Sequence, residues 1–238
     1  MAIAMRQQII IEPPSDIGET LPSITQLVAS LSDQVVAVEG DTPLYRAAYS
    51  PHGVVPDCVP RAYRFGPPAR LIAADGTMRF WWLYVAFEPD TTVWEGRFCQ
   101  NDQTRPGTFY IEPSAERDGI IATLRFPRAM RLWNLNSEAS SKLGVYDNLS
   151  SPDYEWCQWF GARMHDAMVS IDGDARPDGI AYPSRRHRGR AAIILSSAAV
   201  ESMKAGVRHE HVPFVDHPSY RRLLADPLRV SAPVLTVP

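Results

Sequence analysis

The run Trp81-Trp82-Leu83-Tyr84-Val85-Ala86-Phe87, closed off by Pro89, does most to restrict what this chain can fold into. It is apolar, aromatic and β-branched, the composition of a strand buried within a sheet. The residues after it, Asp90-Thr91-Thr92-Val93-Trp94-Glu95, open a helix, with Asp90 placed to cap it and Pro89 ending the strand. Tyr84 is then expected on the strand and Glu95 on the first turns of the helix. An aromatic ring and a carboxylate meeting at a strand–helix corner can grip and polarise a small ligand. The spacing alone names no ligand.

Around that corner the pattern is mixed. Ile24, Leu27, Val28 and Leu31 share a helical face, which predicts a short amphipathic helix over Pro22–Leu31. The first strand signal is Leu44-Tyr45-Arg46, and the proline- and glycine-rich stretch Pro51–Pro68 reads as loop. Further strands are expected at Thr108–Ile111, Ile120–Phe126, Met130–Leu135 and Ala191–Leu195. Helices are expected at Thr91–Phe98, Glu138–Leu143 and Pro152–Met168, with shorter patterns at Ser197–Lys204 and Ser219–Ala225. In the longest of these, Pro152 suits a first helical position after Ser151, and Trp156, Trp159, Phe160, Met164, Ala167 and Met168 form a broad apolar stripe that reads as core. Strands and helices without regular alternation indicate an α+β fold, with mixed or antiparallel sheets and peripheral helices. The expected organisation is one compact domain over residues 44–216. A short helical extension over residues 1–43 precedes it, and a segment over residues 217–238 packs on the domain or on a partner.

At 238 residues and 45% hydrophobic content the chain can bury a sizeable core. A net charge of −3 argues against a nucleic-acid or anionic-membrane binder. Met1–Ile11 holds only a brief apolar run before Glu12-Pro13-Pro14, too short for a signal peptide, and no stretch reaches transmembrane length. The three cysteines, Cys58, Cys99 and Cys157, are far apart and form no CxxC pair. A reducing cytoplasm is the expected compartment.

Several standard sites are excluded. No GxGxxG follows a strand and no GxxxxGK[ST] occurs. Ser184 lies in Ala181-Tyr182-Pro183-Ser184-Arg185, which is not a nucleophile elbow. His209-Glu210-His211 is the one close histidine pair; on a strand its rings would share a face, but no third ligand is apparent, and no metal is expected.

Four pieces, in order along the chain, remain: Leu44-Tyr45-Arg46; Tyr63-Arg64-Phe65-Gly66-Pro67-Pro68; the strand–helix pair carrying Tyr84 and Glu95; and Gly179-Ile180-Ala181-Tyr182-Pro183-Ser184. Together they resemble the RES domain family, named for arginine, glutamate and serine positions, over about Leu44 to Ser196. Arg46 matches the family's early arginine, Tyr84 the tyrosine of its Leu-Tyr-x-Ala segment, Glu95 the glutamate eleven residues beyond, and Ser184 the serine of its Val-Pro-Ser segment. Arg64 matches the arginine of an Arg-Phe-Asn-Pro motif. The chain departs at Gly66, where asparagine is usual, and at Tyr182, where valine is common.

The resemblance implies a fold similar to that of ADP-ribosyltransferase toxins. It also implies a bacterial toxin that consumes NAD by hydrolysis or phosphorolysis, and a helix-turn-helix antitoxin of the Cro/repressor type as its partner. On that footing Arg46, Tyr84 and Glu95 are the expected catalytic residues, Arg64 and Ser184 the expected ligand-binding ones. NAD is the substrate rather than a bound cofactor, with inorganic phosphate a candidate co-substrate. Cleaving the nicotinamide–ribose bond builds an oxocarbenium-like charge that a carboxylate such as Glu95 can stabilise. Tyr84 offers a ring on which nicotinamide can stack, and the arginines offer planar forks for phosphate oxygens. The basic run Arg185-Arg186-His187-Arg188-Gly189-Arg190 reads as a solvated loop, with steering of an anionic dinucleotide as its functional alternative. Transfer of ADP-ribose to a protein, or a non-catalytic interaction module of the same fold, are the competing expectations.

Overall fold

The computed structural model describes residues 11–136 and 138–233. The brief apolar run before Ile11 and the last residues of the closing valine–leucine–proline segment, 234–238, lie outside the described residues.

An eight-stranded sheet organises the molecule, in the order β1-β7-β8-β9-β3-β2-β6-β10. Its strands are β1 (Val35–Val38), β2 (Leu44–Ala48), β3 (Trp82–Ala86), β6 (Ile120–Arg125), β7 (Met130–Asn134), β8 (Gly179–Pro183), β9 (Ala191–Ser196) and β10 (Arg208–Pro213). β4 (Cys99–Asn101) and β5 (Phe109–Ile111) form a separate two-stranded sheet. The helices are α1 (Ser15–Gly18), α2 (Ile24–Leu31), α3 (Pro89–Glu95), α4 (Pro113–Asp118), α5 (Ala139–Lys142), α6 (Tyr146–Ser150), α7 (Tyr154–Val169), α8 (Ser197–Met203) and α9 (Pro218–Leu224). Every pairing in the large sheet is antiparallel except β7 with β8, which are joined through α5, α6 and α7. Parallel neighbours need such a crossover. The fold is α+β, mostly antiparallel.

The sheet is buried on both faces at its centre, which is why β3 reads as an unbroken apolar run. Alternation sorts its side chains. Trp82, Ile180, Tyr182, Ala192 and Ile194 face the helical layer of α7 and α2; Leu83, Val85, Ala181, Ile193 and Leu195 face the layer closed by Val200 and Met203 of α8. The apolar stripe of α7 is core, with Trp156, Trp159, Phe160, Met164, Ala167 and Met168 all buried. A third cluster, including Val93, Phe98, Phe109 and Phe214, seats α3 on the small hairpin.

Residues ahead of β2 pack into the same core. Ile17, Leu21, Leu27 and Leu31 are buried, and Trp156 Nε1 donates to Thr20 Oγ1 at 3.0 Å. Helix α2 begins after Ser23, whose hydroxyl accepts from Gln26 N at 3.2 Å while the Gln26 side chain accepts from Ser23 N at 2.8 Å, a reciprocal cap. At the other end, Phe109 N donates to Leu228 O at 3.1 Å and Val230 N to Phe109 O at 2.8 Å, so the C-terminal segment lines the hairpin.

Three local expectations need correction. Asp90 does not cap α3: Glu88 holds the N-cap position, Pro89 is the first helical residue, and Asp90 lies in the first turn, ion-paired to Arg222 at 2.7 Å. Proline suits that first position because its missing N–H would be unpaired there anyway. Glu95 is the last residue of α3, not part of its first turns, and Phe98 lies beyond the helix because the chain turns into β4. Pro152 stays outside α7; Asp153 is the cap and accepts from Trp156 N at 3.1 Å. The strands β1, β4, β8 and β10 and the helices α1, α4 and α6 add to the expected elements.

Cys58, Cys99 and Cys157 are all free thiols, and burial pushes that of Cys99 up to about 12. His209 and His211 lie on the exposed edge strand β10, and no group of side chains suited to a metal occurs among the described residues. Among those residues no helix is long and apolar enough to cross a membrane.

Candidate active site

Helix α3 is short, seven residues, and tertiary contacts hold it. Thr92 Oγ1 accepts from Ala47 N of β2 at 2.7 Å, and Thr91 Oγ1 meets His187 Nδ1 at 2.9 Å. Glu88 pairs with Arg190 at 2.8 Å. The helix is thereby tied to β2 on one side and to the loop after β8 on the other.

Glu95 sits at the C-terminal end of this helix, where the backbone dipole disfavours a negative charge. Two hydroxyls from β8 and its exit offset that. Ser184 Oγ donates to Glu95 Oε1 at 2.6 Å, and Tyr182 OH donates to Glu95 Oε2 at 3.1 Å. Ser184 is itself fixed, because its oxygen accepts from His187 N at 2.8 Å and its amide donates to Arg190 O at 2.8 Å. The half-buried carboxylate is therefore held by both oxygens in one orientation. Tyr182, beyond its packing role, is a second anchor for the carboxylate. It lies two residues before Ser184 in an extended segment, and that spacing puts both hydroxyls on one face. Burial, reinforced by Glu95, pushes the Tyr182 phenol well above its ordinary value, so it stays a donor.

Tyr84 projects from the middle of β3. Its hydroxyl accepts from Phe65 N at 3.0 Å, and its ring meets Tyr63 edge-on with centroids 5.9 Å apart. Burial raises its phenol far above the usual range, and the Glu95 charge adds to the effect. Phe65 is clamped from both sides, for its carbonyl accepts from Trp82 Nε1 at 2.6 Å. α7 admits that carbonyl only because residue 161 is glycine: a β-carbon there would lie 2.0 Å from Phe65 O. Gly66, which departs from the family's asparagine, has a similar cause. A β-carbon at 66 would stand 3.0 Å from both Ala62 Cα and Tyr63 N, so this turn leaves little room for a side chain.

Arg46 closes a gap in the sheet. β2 and β3 are in register only at Tyr45–Ala86, whereas β2 pairs with β6 along its length. The Arg46 guanidinium bridges the gap, donating Nη1 to Tyr84 O at 2.8 Å and Nε to Gly53 O at 2.9 Å. Burial lowers its pKa to about 10, which leaves it charged at neutral pH. Arg64 is also engaged with backbone: Nη2 donates to Leu149 O and, at 3.4 Å, to Ser151 O, which sets the corner leading into α7. Its Nε and Nη1 are buried without a partner among the described residues.

Of the residues singled out in the sequence, the fold thus joins Glu95 to Ser184 directly and Arg46 to Tyr84 through a carbonyl. Arg64 lies close enough to Tyr84 and Tyr182 to bear on both phenols electrostatically. Such a site can orient a polar ligand on a fixed carboxylate beside an aromatic face. A search of curated proteins finds no match to this chain. The RES domain does match it, over residues 43–217, which contain every residue just described, and the protein therefore belongs to the RES domain family.

Proposed function

We propose that the protein cleaves the nicotinamide–ribose bond of NAD and passes ADP-ribose to water or inorganic phosphate. Membership of the RES family is consistent with an NAD-acting toxin in general terms. The single observation that carries the finer reading is the Glu95 carboxylate held through both oxygens by Ser184 and Tyr182.

The chemistry asks for little proton traffic. The carbon–nitrogen bond breaks with its electron pair going to the nicotinamide nitrogen, so a cationic ring leaves neutral and needs no acid. Positive charge grows on the ribose, and a preoriented carboxylate stabilises that state more than the ground state. Water or phosphate then bonds to the anomeric carbon, and Glu95 can take the proton that water sheds. Tyr84 is the stacking surface for nicotinamide. Arg46, through Nε and Nη1, and Arg64, through Nη2, hold backbone carbonyls and support the site chiefly by fixing β3 and the α7 corner.

The test is product chromatography after purified protein meets NAD, with and without phosphate. Wild type should release nicotinamide, and Glu95→Gln should lower the rate by about a hundred- to a thousandfold, the usual cost of removing one electrostatic stabiliser. Glutamine has nearly the same shape and still accepts one hydroxyl through its oxygen, while its amide can donate to the other hydroxyl once that turns to accept, so the fold should persist. Intact NAD in both samples would sink the reading, and label from NAD on a macromolecule would point to a transferase. As a toxin, the chain expressed alone should stop growth, with Glu95→Ala tolerated. A helix-turn-helix antitoxin is the partner proposed to cover the site.

A further inference from the structure

Arg46 gives Nε and Nη1 to carbonyls and Arg64 is buried, whereas Arg97, Arg185 and Arg186 are exposed or half-buried and within reach of an anion from solvent. We infer that Arg97 and Arg185, both in contact with Tyr154, and the neighbouring Arg186 form a phosphate-binding rim beside Glu95.

The rim draws on three parts of the chain. Arg97 follows α3 directly after Gly96, Arg185 and Arg186 follow Ser184, and Tyr154 opens α7. Arg97 Nη2 donates to the Tyr154 hydroxyl at 2.8 Å; the Arg185 guanidinium lies 5.7 Å from the centre of the Tyr154 ring and donates Nη1 to Ser151 O at 3.0 Å. The tyrosine oxygen therefore accepts from one arginine and keeps its own proton to donate.

Charge balance at this corner points to a missing anion. Among the described residues none of these three arginines forms an ion pair with a carboxylate. Of the nearby acids, Glu88 is paired to Arg190, Asp153 caps α7 at Trp156 N, and Glu95, held by two hydroxyls, is the one whose charge partly offsets that of Arg186. Three like charges set against a single unpaired carboxylate repel one another. Burial, then the charges of Arg97 and Arg185, lower the pKa of Arg186 against the opposing pull of Tyr154 and Glu95. Burial works to raise the Tyr154 phenol, but the arginine charges and the Arg97 hydrogen bond outweigh it and hold it below its ordinary value. Arg97 also adopts φ 60°, a left-handed conformation that favours glycine. A long cationic side chain is thus kept where the backbone would prefer none.

A phosphate group suits this geometry, since guanidinium forks match its oxygens and the phenol can donate to a further one. That phosphate has two sources under the proposed reaction, and in naming them the inference rests on that reading: the diphosphate of NAD, or inorganic phosphate as acceptor. The exposed Arg188 of the same loop serves as control.

The test is calorimetric titration of the intact chain with inorganic phosphate and, separately, with ADP-ribose, neither of which requires turnover. Arg97→Gly and Arg186→Gln should each weaken at least one ligand by about tenfold, as expected for a lost charge-assisted contact. Arg188→Gln should not. Weakening of ADP-ribose alone assigns the rim to the dinucleotide, and weakening of phosphate assigns it to the acceptor. Arg97→Gly relieves the left-handed backbone, so its melting temperature should hold or rise, which separates lost binding from lost fold. Unchanged affinity for both ligands, or an equal loss in Arg188→Gln, overturns the rim. A protein inert towards NAD that still loses phosphate affinity in these variants would sink the enzyme reading and leave the rim standing.

Discussion

At the scale of single residues, Glu95 matters through what holds it. Ser184 was legible from the family motif, whereas Tyr182 stood out in the sequence only as a departure from valine. Its role needed β8 to be recognised as a strand, and Gly179–Pro183 carries too few alternating residues to declare itself. Tyr182→Phe should keep the packing of its ring against Phe65, whose centroid lies 5.1 Å away, while deleting the hydroxyl from Glu95. Hydrogen bonds to charged groups contribute about 1.5–3 kcal/mol, so we expect NAD cleavage to fall about tenfold or more. The melting temperature should move little, because the half-buried carboxylate can turn to water. Steady-state rates and thermal melts check this together; a full-rate variant would show that Ser184 alone positions Glu95.

At the scale of elements, the site depends on the close approach of the residue 62–66 turn to α7. Alanine at 161 would gain up to about 1 kcal/mol of helix propensity. Its β-carbon, however, would meet Phe65 O at 2.0 Å, and that carbonyl is locked by Trp82. Overpacking a locked contact typically costs about 1–3 kcal/mol, so the clash should win. Gly161→Ala is expected to lower the urea midpoint and, by displacing Phe65, to remove the amide that Tyr84 accepts from. Activity should fall with it; unchanged stability would mean that the turn yields freely. The sequence pattern of α7 disclosed its buried stripe but not this glycine, since the stripe depends on period and the glycine on what packs opposite. The position of Glu95 was misread for a related reason. Helix α3 ends after seven residues because the chain must turn into the β4–β5 hairpin, a tertiary demand.

At the scale of the whole molecule, the hairpin and C-terminal segment form a unit fastened by Asp102. Its carboxylate accepts from the hydroxyl of Thr104 at 2.6 Å and from its amide at 2.8 Å, and pairs with Arg105, which also holds Ser231 O at 2.9 Å. These donors, the Thr104 hydroxyl first, bring its pKa down to about 2. An unfolded aspartate titrates near about 3.9, so the unfolded chain takes up this proton first as pH falls. The stabilisation is complete above the unfolded value and is lost as pH drops towards the folded one. Chemical denaturation should therefore show wild type losing more stability than Asp102→Asn between about pH 4 and pH 2. Parallel curves would mean that the cluster titrates alike in both states. The sequence by itself determined the α+β class, the buried β3 run, the α7 stripe and the family positions, because each is written in residue type and short-range period. Only the tertiary structure decided that Arg46 bridges a gap between β2 and β3, that Tyr182 anchors Glu95 and that Arg97 and Arg185 converge on Tyr154. The physical reason is distance along the chain: Glu95 meets hydroxyls 87 and 89 residues away, and strand order and loop closure set such meetings.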